Sequence, residues 1–374
     1  MESLKKSSLQ LSYAEDEPRY TFDLSKLEPG DILLSTSRTL AGLAIRGATG
    51  TPWSHAMLYD NKLIIHADRD GVFTRNPQRC LFGKGEGAVY RLSEKDETFA
   101  SKACQFAKNL LGGLYSVPDA IASSALRNTS TESLTDGQFC SRLVAQAYLA
   151  AGVALVPNPA YCFPSDLILR ENLVFEVTEA IRPADETDFA INKTVDTLAI
   201  AQARTYAWLT PVSALIREKK LGRATTIAQV FDAVKTHPGE LDSEVARHIA
   251  ASGYTKNFEL DREINPYRYN VKAFEAAILS TDKDRDEIFM EHIEASERLH
   301  REALEQVSSN RNTGLKTFDV IAAIGEDRLK FAKIRLSILH DVSSGYASEA
   351  VKTRISAALD AINATLAGQS VPAS

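Results

Sequence analysis

The sequence predicts an α+β domain followed by an all-α helical bundle domain. Short strand-like and helical patterns alternate over about residues 29–185, whereas from residue 186 onward long helical patterns follow with few Gly or Pro residues. A chain of 374 residues also exceeds the size at which a single hydrophobic core usually stops growing. We therefore expect two domains, preceded by a polar N-terminal tail or clasp over residues 1–28.

The first domain is predicted from turn signals and alternating apolar runs. Pro29-Gly30-Asp31 leads into the apolar run Ile32–Leu34, and helical spacing then continues from Leu40 to Ile45. The strand-like runs are His55–Tyr59, Leu63–His66, Val72–Thr74 and Ala88–Leu92. Asn61-Lys62 separates the first two of these runs, as expected for a tight hairpin turn. A helix is predicted over about residues 97–111.

The second domain is predicted from apolar stripes at spacings of three and four residues. The stripes are Phe289, Ile293, Leu299, Ala303 and Val307; Phe318, Ala322, Gly325, Leu329, Ala332, Leu336 and Leu339; and Val351, Ile355, Ala358, Ile362 and Leu366. The short polar segment 308–314 suits a connection between antiparallel helices. We expect core packing between these stripes, with binding of a protein partner or self-association as the alternative.

Composition and charge exclude several classes of function. The net charge of −6 gives no basic footprint for nucleic acid, and no stretch of 18 apolar residues predicts a membrane-spanning helix. No apolar run follows the first lysines, so we expect a cytoplasmic protein, with signal-independent secretion as an effector as the alternative. The four cysteines are expected to be reduced thiols, and no cofactor or metal site is predicted.

Cys140 is the candidate nucleophile. Capping-type residues precede it, and helical spacing continues through Leu143, Val144 and Ala147, so the pattern places Cys140 in the first turn of a helix. There the helix dipole favours a thiolate, and free backbone N–H groups can receive an oxyanion.

His55 and His66 are the candidate partners of Cys140, since only two of the seven histidines fall in the first domain. His55 opens one strand-like run and His66 ends the next, so a hairpin would bring both imidazoles from neighbouring strands. His55 would then act as the base, and His66 would orient it, with Asp68 as the alternative third residue.

The order of several motifs carries a resemblance to a known family. The segments are Pro29-Gly30-Asp31, Trp53–Tyr59 around His55, Ile65–Val72 around His66, Leu114-Tyr115-Ser116, Phe139–Tyr148 around Cys140, and Phe163–Leu167. Together they resemble the permuted NlpC-type papain-like superfamily, in particular its YiiX-like branch, with lecithin:retinol acyltransferase-like proteins as relatives. The resemblance covers about residues 29–178 and implies a central antiparallel sheet. It also implies Cys140 as nucleophile, His55 as base, His66 as third polar residue, and Tyr115 and Ser141 near the oxyanion or substrate.

Two residues depart from the YiiX-like pattern. His66 stands where those proteins tend to carry glutamate, and Arg142 stands where they tend to carry an acidic residue. A histidine in the third position resembles the acyltransferase relatives instead. The expected function is therefore a cysteine amidase or peptidase acting on a peptide or small molecule. The alternatives are an acyltransferase, thioesterase or lipase acting on a lipid acyl group, and a non-catalytic binding module.

Overall fold

The computed structural model describes residues 17–93, 97–127, 129 and 137–367. The chain divides into a first unit, Met1–Gln202 with Arg223–Phe231, and a second unit, Ala203–Gly222 with Asp232–Ser374. In the described residues the first unit contains the β-strands, and the second unit is helical. The first unit thus extends beyond residue 185, the boundary predicted from the change in composition.

The first unit combines strands with short helices. The strands are β1 (Tyr20–Phe22), β2 (Ile32–Ser35), β3 (His55–Asp60), β4 (Leu63–Asp68), β5 (Gly71–Arg75), β6 (Gly87–Leu92), β7 (Val174–Glu176) and β8 (Ile181–Pro183). The helices are α1 (Leu40–Thr49), α2 (Glu97–Asn109), α3 (Val117–Leu126), α4 (Cys140–Ala150) and α5 (Glu186–Lys193), with 3₁₀ turns at Pro77–Arg79 and Pro164–Ile168. Two further helices, α6 (Thr197–Glu218) and α7 (Ile227–Thr236), each include residues assigned to both units.

A six-stranded antiparallel sheet forms the centre of the first unit. Its strand order is β5-β4-β3-β2-β6-β7, and alternate residues of each strand face opposite sides. On one side Ala56 and Leu58 pack with Leu143 of α4, while on the other Met57 and Tyr59 belong to a separate apolar cluster. Helix α4 is therefore held against the sheet, next to the strand that carries His55.

The predicted hairpin between β3 and β4 is confirmed. Asn61 and Lys62 have φ angles of 46° and 72°, as a tight turn with left-handed residues requires. The β3–β4 ladder runs from Asp60↔Leu63 to Leu58↔Ile65. Beyond it, His55 pairs with a residue of β2, and His66 pairs with a residue of β5. The two histidines therefore lie just past the paired part of the hairpin.

The described part of the predicted N-terminal tail belongs to the fold. Strand β1 pairs with β8, with Tyr20 opposite Pro183, and Phe22 is fully buried. From Tyr20 onward the segment is thus a strand of the fold in which Thr21 and Phe22 are both fully buried, which fits the predicted clasp rather than a polar tail. Residues 1–16 lie outside the described residues.

The described helices of the second unit that follow α7 pack mainly on one another. They are α8 (Pro238–Ala251), α9 (Asn257–Ile264), α10 (Val271–Leu279), α11 (Arg285–Asn310), α12 (Lys316–Tyr346) and α13 (Glu349–Leu366), with 3₁₀ turns at Tyr254–Lys256 and Pro266–Tyr269. Of these, α8, α11, α12 and α13 are longer than the helices α1 to α5. Parts of all three predicted stripes meet in one core that includes Phe289, Leu336 and Ile355. Core packing within the chain is therefore what most of these apolar residues do.

Two details of the bundle differ from a generic helical pattern. Helix α11 continues through Asn310, so the connection to α12 is shorter than the predicted segment 308–314. Gly325 of α12 lies against α11, where an added Cβ would be 2.8 Å from Val307 Cγ2 and 3.1 Å from the Ala303 carbonyl oxygen. The two long helices approach closely at this glycine.

None of the helices in the described ranges has both the length and the apolar character needed to cross a bilayer.

Candidate active site

A pocket of about 440 Å³ in the first unit brings most of the predicted site residues together. Cys140, His55, His66, Tyr115 and Asp68 all line it. They come from α4, β3, β4 and the segment before α3, which are distant in sequence. Ser141 is not part of the lining.

The rest of the pocket wall is mostly polar. Hydroxyl groups come from Ser35, Thr36, Ser37, Thr39 and Ser54, and guanidinium groups come from Arg38, Arg69 and Arg75. Apolar lining includes Ile45, Met57, Leu81 and Phe82. Arg38 is neutralised by ion pairs with Glu17 and Glu86, whereas the described residues provide no ion pair for Arg75.

Cys140 is the first residue of α4, as predicted, but its thiol is not a preformed thiolate. Burial raises the pKa of Cys140, and hydrogen bonds from backbone N–H groups of Ala56, Ser141 and Cys140 itself act in the opposite direction. Desolvation is the larger effect because the side chain is only 5% exposed. The sequence-based expectation of a dipole-stabilised thiolate therefore does not hold for this conformation, in which the thiol is neutral at pH 7.

His55 and His66 form a hydrogen-bonded pair. His55 Nε2 lies 3.0 Å from His66 Nδ1, and the two rings are almost perpendicular. Burial, with a further contribution from the positive charge of Arg75, lowers the pKa of His55 to about 4. The pKa of His66 also lies well below its usual value, first because of burial. Both imidazoles are consequently neutral at pH 7, and a neutral imidazole can accept a proton.

The surroundings of the pair distinguish His66 from Asp68. The His66 ring packs 4.5 Å from the Phe73 ring, and its Nε2 is buried without a hydrogen-bond partner among the described residues. The Asp68 carboxylate instead accepts a hydrogen bond from the backbone N–H of Asp70. His66, rather than Asp68, is therefore the group that contacts His55.

Tyr115 is held beside the start of α4 by a short parallel bridge. Tyr115 pairs with Gln138, the Ser116 N–H donates to the Gln138 carbonyl, and the Gln138 N–H donates to the Leu114 carbonyl. The approach is close, since a Cβ on Gly137 would lie 2.9 Å from Ser116 Cβ. Burial, then the nearby Cys140 and Asp68, raise the pKa of Tyr115, so its hydroxyl remains a hydrogen-bond donor.

A buried ion pair joins the helix that begins at Cys140 to α3, and sequence reasoning did not find it. Arg142 Nη1 donates to Asp119 Oδ2 at 3.1 Å and to the Gly137 carbonyl at 2.7 Å. Asp119 also accepts hydrogen bonds from the hydroxyls of Ser116 and Tyr161. The Arg142–Asp119 pair thus connects the first turn of α4 to the start of α3, next to Tyr115.

Ser141 and the remaining cysteines have structural surroundings. The Ser141 hydroxyl donates to the Cys162 carbonyl at 2.7 Å and also helps to lower the pKa of Cys140, but Ser141 is not among the residues that line the pocket. All four cysteines are unpaired and buried, and only Cys140 and Cys80 line the pocket. In the ranges that the structure describes, His, Cys, Asp and Glu residues form no group of three or more suited to a metal ion.

Two features of the site were missed because the sequence gives only weak signals for them. Arg75 ends β5 and adds to the effect of burial in lowering the pKa values of both histidines, yet in sequence it is one arginine among many. Arg142 offered a better signal, since it stands among apolar residues at the start of a helix that had to be buried.

No protein-family model matches the chain, and no curated protein matches it. Among solved structures, the chain is similar to one described as the metalloprotein yiiX from Escherichia coli O157:H7. The identity is 18%, the match covers 43% of this chain and 97% of that chain, and the TM-score is 0.24. A likeness of this strength identifies a weak structural neighbour and carries no argument about function.

Proposed function

We propose that this protein is a cysteine-dependent hydrolase that cleaves an amide bond through an acyl-enzyme on Cys140, within a permuted papain-like domain of NlpC type. One observation supports this proposal above the others. Cys140, His55, His66 and Tyr115 line one pocket, and His55 is hydrogen-bonded to His66 at 3.0 Å. A nucleophile, a base and a group that orients the base are the parts that covalent catalysis requires.

The proposed first step starts from a neutral thiol and a neutral imidazole. Cys140 Sγ forms a bond to the substrate carbonyl carbon while His55 Nδ1 accepts the thiol proton. His55 keeps its own proton on Nε2, and this N–H donates a hydrogen bond to His66 Nδ1, which stabilises the His55 imidazolium as it forms. His55 then gives the accepted proton to the leaving amine, and the C–N bond breaks to leave a thioester that water hydrolyses.

The proposed oxyanion site uses the beginning of α4. The Cys140 backbone N–H lies in the first turn, and no side chain caps this helix terminus. Tyr115 provides the second donor in this proposal, because it lines the same pocket and its hydroxyl stays protonated. Such preorganised donors stabilise the charge that develops on the carbonyl oxygen.

Fatty acyl chemistry is the second candidate, and the histidine at position 66 favours it. The pocket wall favours the amide, since five hydroxyl side chains and three arginines line it. A long alkyl chain would gain little by burial against such groups and would leave them without water. We therefore consider that the pocket suits amide cleavage better than acyl transfer, thioester hydrolysis or lipolysis.

Selective labelling of Cys140 tests the proposal. A short pulse of iodoacetamide at pH 7, mapped by mass spectrometry, should modify Cys140 faster than the buried Cys104, which donates to the Tyr59 carbonyl. His55→Ala should slow the labelling of Cys140 because the thiol then lacks its base. General base help of this kind contributes typically about 10²–10⁴-fold to catalysis.

Trapping of the acyl-enzyme identifies the substrate class. Intact protein incubated with cell lysate should gain an adduct on Cys140 that is absent in Cys140→Ser and retained in Cys104→Ala. The mass of the adduct separates a peptide acyl group from a fatty acyl group. Labelling of Cys140 as slow as that of Cys104, and unchanged in His55→Ala, would instead establish a non-catalytic binding module.

A further inference from the structure

A group of two arginines and one histidine in the second unit is not explained by the packing of the bundle. It consists of Arg268 in the 3₁₀ turn Pro266–Tyr269, His292 on α11 and Arg335 on α12, and we call it the arginine cluster. All three side chains are half-buried, so the cluster is reachable from solvent but poorly hydrated.

One carboxylate serves this cluster, and its oxygens are already engaged. Asp261 Oδ1 accepts hydrogen bonds from Arg268 Nη1 and from Asn265 Nδ2, both at 2.8 Å. Asp261 Oδ2 accepts a short hydrogen bond from the Tyr269 hydroxyl. Asp261 thus neutralises Arg268.

Arg335 has no ion pair of its own within the described ranges, and it makes no hydrogen bond there. Burial lowers the pKa of Arg335, and the positive charge of Arg268 lowers it further, while Tyr269, Asp261 and Tyr267 act in the opposite direction without reversing the shift. Phe331, one turn earlier on α12, contacts the Tyr269 ring at 5.8 Å, which places this face of α12 against the 3₁₀ turn. A second guanidinium therefore lies beside the first without its own carboxylate.

His292 lies in the same positively charged surroundings. Its ring lies 5.1 Å from the Phe274 ring and 6.1 Å from the Tyr267 ring. Burial, then Arg335 and Arg268, lower its pKa to about 4, and no carboxylate opposes them. Burial is the main reason why this imidazole stays neutral, and both guanidinium groups are close enough to add to the effect.

A poorly hydrated charge without a counter-ion is costly, and two adjacent like charges add repulsion. We propose that the arginine cluster is a binding site for a phosphate group, which would supply the missing negative charge. Arginine suits this ligand because its planar fork donates two parallel hydrogen bonds to phosphate oxygens. Phosphate also has enough oxygens to accept paired hydrogen bonds from two guanidinium groups, whereas a simple carboxylate has only two oxygens. This site is separate from the proposed hydrolase pocket and does not depend on its chemistry.

Binding of inorganic phosphate to the full chain tests the site. Calorimetric titration in chloride buffer of constant ionic strength should detect binding to the wild type. Arg335→Gln should weaken it at least tenfold, while Lys333→Gln, which removes an exposed positive charge from the same helix, should leave it within twofold. Equal binding by Arg335→Gln and Lys333→Gln, or failure of the wild type to bind phosphate, a phosphomonoester or phosphoinositide vesicles, would overturn the proposal. Acetate binding as tightly as phosphate would overturn the assignment to phosphate.

A second measurement separates binding from folding. Without phosphate, Arg335→Gln should unfold at a temperature no lower than the wild type, because the substitution removes the repulsion from Arg268. A large loss of thermal stability in chloride buffer alone would show instead that Arg335 is a structural residue and would overturn the proposal. Arg335→Lys keeps the charge but loses the fork, so it should bind phosphate more weakly than wild type while remaining folded.

The source of the phosphate group is distinguished by parallel experiments. A soluble phosphomonoester and vesicles containing a phosphoinositide are compared, with phosphatidylcholine vesicles as the control. Binding of the soluble ester supports a metabolite or free phosphate, and cosedimentation with phosphoinositide vesicles alone supports a lipid headgroup. Whichever of the two ligands binds, Arg335→Gln must lose that binding if the ligand occupies the arginine cluster.

Discussion

Replacement of Asp119 by Asn should destabilise the first unit and lower the pKa of Cys140 at the same time. Asp119 and Arg142 are 0% and 1% exposed, so Asp119→Asn leaves a buried guanidinium without its counter-charge. Removing one partner of a buried ion pair costs about 3–5 kcal/mol. Domains of about 150–250 residues lose about 2–4 °C per kcal/mol. The melting temperature of the first unit should therefore fall by about 6–20 °C.

Removal of the other partner of the ion pair distinguishes an effect on stability from an effect on the thiol. Arg142→Gln should also lower the melting temperature, yet it leaves the buried negative charge of Asp119 near the thiol. Cys140 lies two residues before Arg142 in the same helical turn, so its pKa should rise in Arg142→Gln and fall in Asp119→Asn. The stability changes share a sign, whereas the pKa changes have opposite signs.

The assay is the rate of iodoacetamide labelling of Cys140 as a function of pH, below the melting temperature of each variant. An exposed ion pair in the second unit, Arg354 with Glu297, provides the control, and Glu297→Gln should change stability by less than about 1 kcal/mol. Shifts of the labelling profile in the same direction for Asp119→Asn and Arg142→Gln would refute the reasoning. The Arg142–Asp119 pair would then only hold the fold together.

Three further predictions concern the oxyanion donor, acid stability and the bundle. Tyr115→Phe should lower kcat by about 10²–10³-fold with a smaller change in KM, because it removes a donor used in the transition state, measured on the substrate identified by trapping; an unchanged kcat would exclude this role. Acidification from pH 6.5 to about 4 should destabilise the second unit through His292, whose pKa is lowered in the folded state, so the unfolded chain binds the proton first. In His292→Asn the denaturant midpoint should therefore depend less on pH over that range, and an identical slope would contradict the assignment. Gly325→Ala should lower the stability of the bundle by about 1–3 kcal/mol in urea, because the new methyl group meets α11, whereas Gly345→Ala on the same helix has open space and should raise stability by up to about 1 kcal/mol.

Local rules account for the parts of the fold that sequence predicted well. The β3–β4 hairpin follows from two alternating runs and a turn pair, Asn61-Lys62, that tolerates left-handed angles. The bundle follows from apolar spacing, which depends only on the geometry of the helix. Tyr20 to Phe22 could not be assigned, because a strand of three residues has no periodicity to read and its partner β8 is about 160 residues away.

The candidate site also has features that local sequence predicts and features that depend on the whole fold. Residue types and motif order were sufficient to select Cys140, His55 and His66, and these three line one pocket. The charge state of Cys140 was wrong, since it depends on how completely the surrounding chain removes water from the thiol. Burial is a property of the whole fold, so neither the position of Cys140 in its helix nor its neighbours in sequence could provide it.

The discontinuous first unit has a consequence for synthesis on the ribosome. Its last segment, Arg223–Phe231, follows twenty residues that belong to the second unit, and the Ile227 N–H donates to the Leu111 carbonyl. The unit that contains Cys140 therefore cannot be completed until residue 231 has left the exit tunnel. Protein synthesis adds about 5–20 residues per second. The sheet and α4 therefore exist for several seconds before the segment that binds the Leu111 carbonyl is available. A gene fragment cut at residue 185 would encode a chain that never reaches that stage, which argues for expressing at least residues 17–231 when the pocket is studied.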